Sequence, residues 1–148
     1  MRKLKLQMQT SVDGFVSGPN GELDWMTPFD PEIEAFIVDR LTDTSDTILL
    51  GRKMAEGFIR HWEQQAAAGS GKEHDFGVRM VSMQKVMFSR TLSHAAGKNL
   101  RVESRPLVDA VQDLKRQSGK DIIVYGGATF VSALITDALI DGGCPENC

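Results

Sequence analysis

Three short stretches of this chain put anion-binding groups where a strand gives way to a turn or helix. The first is Asp121-Ile122-Ile123-Val124-Tyr125-Gly126-Gly127-Ala128-Thr129-Phe130. A β-branched run meets a glycine pair, and a helical pattern starts at once. Two adjacent glycines let a second backbone or a phosphate come close. Free N–H groups and the positive dipole end of a helix then favour an anion. The second stretch is Gly51-Arg52-Lys53-Met54, after the apolar run Thr47–Leu50. Strand, glycine, two cations and helix again suit a phosphate. The third is Ser89-Arg90-Thr91, closing the run Lys85–Phe88. Hydroxyl, guanidinium and hydroxyl at a strand's C-terminal end match the ligand edge of an open α/β sheet, and Arg often pairs with a ribose 2′-phosphate. Each stretch alone also reads as a plain turn. On one edge they imply a long phosphorylated ligand such as a dinucleotide, although no Gly-x-Gly-x-x-Gly fingerprint occurs in a strand–helix turn.

Two carboxylates could serve a substrate. Asp13 lies in Ser11-Val12-Asp13-Gly14, just past the first strand. It either hydrogen-bonds a polar ligand or caps its own turn. Glu32 lies in the first turn of a helix opened by Asp30 and Pro31. There it complements the helix dipole or turns into a cleft. Either carboxyl could orient or protonate a nitrogen heterocycle.

The elements that must carry these groups alternate. Strands are expected over Lys3–Thr10, Thr47–Leu50, Lys85–Phe88, Leu100–Glu103 and Ile122–Val124. Helices are expected from Pro31, from Lys53 to about Trp62, from Pro106 through Gln117, and after Gly127. In the last of these, Val131, Leu134, Ile135, Ala138 and Leu139 form one apolar face. In the helix after Pro106, Leu107, Val111 and Leu114 point inward, and Asp109, Asp113 and Lys115 outward. Gln64–Asp75 lacks periodicity and reads as a mobile loop. Val78–Met83 reads as a short helix or irregular lead-in. The end from Asp141 reads as loop. Repeated strand–helix alternation predicts an α/β fold with a mainly parallel central sheet and helices on both faces.

Composition narrows the classes. The 148 residues suit one domain, with 41% hydrophobic and 25% charged residues, the profile of a soluble globular chain. A net charge of -3 supplies no general field for nucleic acid or anionic lipid. No apolar run approaches a bilayer span and the start has no signal-peptide pattern, so the expectation is a cytoplasmic protein that acts on neither membrane nor nucleic acid. Cys144 and Cys148 are a poor zinc pair without histidine partners, and no metal site is expected. His61, His74 and His94 share no spacing with each other or with a cysteine.

Taken in order, Ser11-Val12-Asp13-Gly14-Phe15-Val16, Gly21-Glu22-Leu23-Asp24-Trp25, Leu49-Leu50-Gly51-Arg52-Lys53-Met54, Val86-Met87-Phe88-Ser89-Arg90-Thr91-Leu92 and Val124-Tyr125-Gly126-Gly127-Ala128 resemble the dihydrofolate-reductase-like superfamily. The set is most similar to the RibD C-terminal reductase domain of riboflavin biosynthesis, over about residues 3–140, which leaves 141–148 as an atypical tail. The resemblance implies a dihydrofolate-reductase-like three-layer sandwich and NADPH as hydride donor. It puts Gly51, Arg52, Lys53 and Met54 beside the cofactor phosphates, and Ser89 and Arg90 on the 2′-phosphate. Gly126, Gly127, Ala128 and Thr129 would line the pyrophosphate and nicotinamide. Val16 and Trp25 would flank the nicotinamide and substrate mouth, with Asp13 or Glu32 as the substrate acid.

Family members continue with further C-terminal strands, which this chain is expected to lack. An uncovered sheet edge would favour a homodimer. The expected activity is reduction of a pyrimidine- or pterin-like substrate, the closest candidate being the ribosylaminopyrimidine phosphate of riboflavin biosynthesis. The alternatives are a non-catalytic nucleotide-binding or regulatory module on the same fold, or an oligomerising structural domain.

Overall fold

The structure is a computed structural model that describes residues 1–25 and 30–143. Among the described residues, six strands form one sheet in the order β4-β3-β2-β5-β1-β6. They are β1 (Leu4–Leu6), β2 (Ser45–Gly51), β3 (Gln84–Phe88), β4 (Leu100–Glu103), β5 (Asp121–Val124) and β6 (Gly142–Gly143). Every strand pairing is parallel. The helices are α1 (Pro31–Phe36), continued by a π-helical turn (Ile37–Thr42), then α2 (Arg52–Ala68), α3 (Gly71–Ser82), α4 (Leu107–Arg116) and α5 (Ala128–Thr136).

Alternation along the strands builds two cores. Leu4, Leu49, Val86, Ile122 and Val124 face α4 and α5, where they meet Val111, Leu114, Val131 and Leu134. Ile48, Leu50, Met87 and Ile123 face the other way, against Leu41, Ala55, Ile59 and Met80. Ile122, Ile123 and Val124 are fully buried, because a central parallel strand is covered on both faces. Each such side chain contributes about 1.5–3 kcal/mol relative to exposure. The expected three-layer α/β sandwich is what the chain forms.

Several local expectations are corrected. Gln64–Asp75 is not a loop. The alanines at 66–68 carry α2 on to Ala68, and α3 starts at Gly71. The two helices pack so closely that a Cβ on Gly77 would lie 2.9 Å from the Ala66 backbone nitrogen. β1 is shorter than Lys3–Thr10, because its partner β5 ends at Val124; Gln7 N still donates to Val124 O. α5 stops at Thr136, and Ala138 adopts a left-handed φ of 52°. Ile135 is therefore 59% exposed, while Leu139 is buried beyond the helix end. The tail is not loop throughout, since Gly142–Gly143 pairs with β1. Cys144 and Cys148 lie outside the described residues.

Lys115 points inward, contrary to expectation. It sits one turn after Val111 on the same helix face, and its long stem carries Nζ to Leu139 O and Asp141 Oδ2, each at 2.6 Å. The Asp141 carboxylate also accepts from Leu4 N at 2.9 Å, so one charge pair fastens the start of β6 to β1 and α4. Burial opposes ionisation of Asp141, but the Lys115 and Leu4 hydrogen bonds outweigh it and lower its pKa.

Glu103, buried at the end of β4, accepts hydrogen bonds from the Arg105 side chain and backbone N–H. These bonds pull its pKa from 4.5 down to about 2, against the opposing effect of burial. The folded value lies below the unfolded one, so its stabilisation is complete above about 4.5 and disappears as pH falls toward 2. Urea titrations should show stability dropping across that window. Glu103→Gln should flatten this acid limb; an unchanged slope would mean that the Arg105 contacts do not carry it.

Candidate functional site

A parallel sheet collects the C-terminal ends of its strands on one edge. β2 ends at Gly51 opposite Phe88 of β3, and β1 ends at Leu6 opposite Val124 of β5. All three motifs singled out in the sequence therefore leave the same edge. α2 and α5 start there, on opposite faces of the sheet. Their starts approach each other because Gly51 has no side chain. A Cβ at that position would lie 2.8 Å from Phe130 Cβ, inside any normal contact. Gly51 has an ordinary φ of -75°, so its requirement is steric.

The glycine pair differs. Gly126 has φ 147° and Gly127 has φ 85°, so both need the conformational freedom of glycine. Nothing crowds them. A Cβ on Gly126 would meet only Met8 Cε at 3.5 Å and Met54 Sδ at 3.8 Å, both ordinary contacts. Gly127 is the N-cap of α5 and Gly51 that of α2, and neither helix start has a side-chain cap bond. α1 contrasts with both, since the Asp30 carboxylate accepts from Glu32 N. Two helix starts on this rim thus keep N–H groups without side-chain partners.

Cations stand beside them. Arg52 Nη1 donates to the neutral Thr91 Oγ1 at 3.3 Å. Among the described residues, Lys53 and Arg90 enter no salt bridge. Both are exposed. Ser89 is buried, and its Oγ accepts from the N–H groups of Thr91 and Leu92, which turns the chain at the end of β3. Ala128 and Thr129 form the exposed first turn of α5.

The substrate-side residues are less gathered. Asp13 is exposed and accepts from Ser11 Oγ, within a turn that Phe15 N closes by donating to Ser11 Oγ. Glu32 is exposed in the first turn of α1, and its carboxylate makes no hydrogen bond among the described residues. Val16 is half-buried, and Trp25 is 36% exposed. No hydrogen bond or ion pair among the described residues ties Asp13 or Glu32 to the glycine rim.

Sequence reasoning gave no site role to Met8, Tyr125 or Phe130. Phe130 packs against Gly51 and lies tilted against Phe88 with ring centroids 5.4 Å apart. Its signal was its place in the first turn of the helix after the glycine pair. Tyr125, adjoining Gly126, stacks on Phe58 and shares a 3.0 Å hydrogen bond with Thr42. Burial pushes its hydroxyl up to about 12, partly offset by the Thr42 bond, so it stays protonated. Among the described residues no cluster of acids, histidines or cysteines could hold a metal, and no helix is long and apolar enough to cross a membrane.

A parallel sheet sandwiched by helices, with this open strand-end edge, defines an α/β domain of the dihydrofolate-reductase-like class. The chain belongs to the RibD C-terminal domain family, whose model matches residues 2–144. It is 31% identical over 140 residues to the uncharacterized protein YyaP of Bacillus subtilis, covering 95% of this chain and 71% of that protein. Two solved structures share the fold. One is a Shewanella sp. PV-4 protein provisionally named for riboflavin biosynthesis: TM-score 0.63, 19% identity, 94% of this chain and 72% of that one. The other is a diaminohydroxyphosphoribosylaminopyrimidine deaminase/5-amino-6-(5-phosphoribosylamino)uracil reductase from Thermotoga maritima: TM-score 0.59, 13% identity, 92% of this chain and 42% of that one.

Gly51→Ala should lower stability by about 1–3 kcal/mol through overpacking against Phe130. The same change in a Phe130→Ala background should cost clearly less, measured by urea unfolding. Equal costs in both backgrounds would show that this contact does not set the requirement.

Proposed function

We propose that this protein is an NADPH-dependent reductase that transfers a hydride to a pyrimidine- or pterin-like heterocycle. The observation that carries the reading is the pair of uncapped helix starts brought together on one edge beside Arg52, Lys53 and Arg90. Family membership and the reductase named in the Thermotoga maritima relative support the reaction class.

The residues present fit a dinucleotide. The space over Gly126 and Gly127 is walled by the side chains of Met8, Met54 and Phe130 rather than by backbone, so a phosphate can approach closely. Gly51, Arg52, Lys53, Met54 and Gly126 through Thr129 hold the pyrophosphate and nicotinamide in this reading. Ser89 and Arg90 hold the 2′-phosphate, and Val16 and Trp25 flank the nicotinamide and the substrate mouth. When bound, the reduced nicotinamide supplies the hydride. The chain orients the two reactants and excludes water between them. A carboxyl then holds the heterocycle by its nitrogen and delivers the proton taken up there. Asp13 is engaged within its own turn, whereas the Glu32 carboxylate is free among the described residues, which favours Glu32. The nearest substrate class is a ribosylaminopyrimidine phosphate, as in the name of the Thermotoga maritima relative.

Titration with NADPH and NADH tests the coenzyme. The native protein should prefer NADPH, and Arg90→Ala should narrow that preference by about tenfold or more, the worth of one charge-assisted contact. An unchanged preference removes Arg90 from the site. Loss of reduced-nicotinamide absorbance with aminopyrimidine or pterin substrates marks turnover. Coenzyme binding with no turnover across such a panel would instead identify a nucleotide-binding module.

A further inference from the structure

We infer that a second small-molecule site lies along the outer side of α2, and that it takes an amphipathic anion with a flat apolar body and one phosphate, sulfonate or carboxylate head. A cleft of about 860 Å³ runs there, between α2 and the segment from Ser89 to Asn99. That is within the range of small-molecule pockets, roughly 300–1,000 Å³.

The cleft is built from one stripe of the helix. Arg52, Ala55, Ile59, Glu63 and Ala67 recur at three- and four-residue spacing and form one wall. Leu92, Ala95 and Ala96 form the other, over Met87 of β3. Four alanines are among the lining residues, Ala55 and Ala67 on the helix and Ala95 and Ala96 on the loop. Two ties fix the walls at either end. Arg52 Nη1 donates to Thr91 Oγ1 at 3.3 Å, and Lys98 N donates to Glu63 Oε1 at 3.0 Å. Near the second tie the loop packs on the helix, where a Cβ on Gly97 would meet Ile59 Cγ2 at 3.1 Å.

Charge sets the orientation of the ligand. The Glu63 carboxylate is occupied by the Lys98 amide, and Glu56 faces Arg60 at 3.8 Å. At the opposite end Arg52 has only a neutral partner, and Lys53 has no salt bridge among the described residues. The anionic head therefore goes to Arg52 and Lys53, and the apolar body lies over Ala55, Ile59 and Leu92. Leu92 is 43% exposed without such a ligand. This cleft is on the α2 side of the sheet and does not include the glycine pair. The site shares Arg52 and Lys53 with the coenzyme reading and otherwise stands without it. A shared cation makes the two ligands antagonistic, each weakening the other by the same factor.

Anilinonaphthalene sulfonate has the required body and head, and its emission rises on transfer to an apolar site. The full-length protein should bind it saturably at a single site. Ala96→Trp fills the cleft from an exposed position and should weaken binding by about tenfold or more, with far-ultraviolet circular dichroism unchanged. If Ala96→Trp does not fold, Ala67→Trp fills the same space from the other wall. Ile135→Ser, which removes an exposed apolar residue on α5, should leave probe binding as it is. Unchanged binding in the cleft-filled variants, or a loss in Ile135→Ser instead, would overturn the inference. NADPH titration of the same proteins keeps the readings apart. Failure of the native protein to bind NADPH sinks the reductase proposal and leaves the cleft standing.

Discussion

Parallel pairing is the constraint on which everything else rests. Once β1, β2, β3 and β5 run in the same direction, their exits share an edge, and residues more than seventy positions apart become neighbours. One close approach then sharpens that edge. Gly51 admits Phe130, and the starts of α2 and α5 converge from opposite faces of the sheet. Helix starts are costly to leave unsatisfied. Here both lack side-chain caps, as do α3 and α4, while α1 is capped by Asp30. What sets α2 and α5 apart is that their starts approach each other on one edge.

The sheet is covered by its two cores and fastened at its opposite edge by charge. Arg2 is buried among strand N-termini and pairs with Asp46 while donating to Thr47 Oγ1. Lys85 donates to the carbonyls of Met80, Val81 and Met83 and so closes the C-terminus of α3. Burial pulls its pKa down to about 8. Lys115 and Asp141 secure the start of β6. These groups have partners within the protein and stabilise the frame. At the strand-end edge Arg105 is likewise paired, with Glu103 and Asp113, whereas Lys53 and Arg90 enter no salt bridge among the described residues.

Much of this was legible in the sequence, and the failures have identifiable causes. Ile122-Ile123-Val124 read as a buried central strand because both faces are apolar, and Asp30-Pro31 marked a helix start because cap chemistry is local. The shared strand-end edge was inferable because βα alternation dictates direction. The helical hairpin at Gln64–Asp75 was hidden. Its helix-forming alanines are followed at once by Gly69-Ser70-Gly71, and its packing through Gly77 is a tertiary effect without a local signal. Lys115 was misjudged because charge was weighed above helical phase, although its spacing from Val111 put it inside. Asp13 had two readings, and the structure shows its carboxylate accepting from Ser11 Oγ within its own turn. The close approach that Gly51 permits had no local signal, because Phe130 is remote from it in sequence.

The α2 helix carries both proposed ligands. Its first turn belongs to the strand-end edge, and its outer stripe belongs to the lateral cleft, so Arg52 and Lys53 stand at a junction. The most direct test of the central claim is a crystal structure of the full chain with NADPH bound. The account predicts continuous density for one coenzyme along the strand-end edge, with phosphates at the starts of α2 and α5 and the 2′-phosphate at Ser89 and Arg90. Density on another face of the sheet, or none at saturating coenzyme, would contradict it.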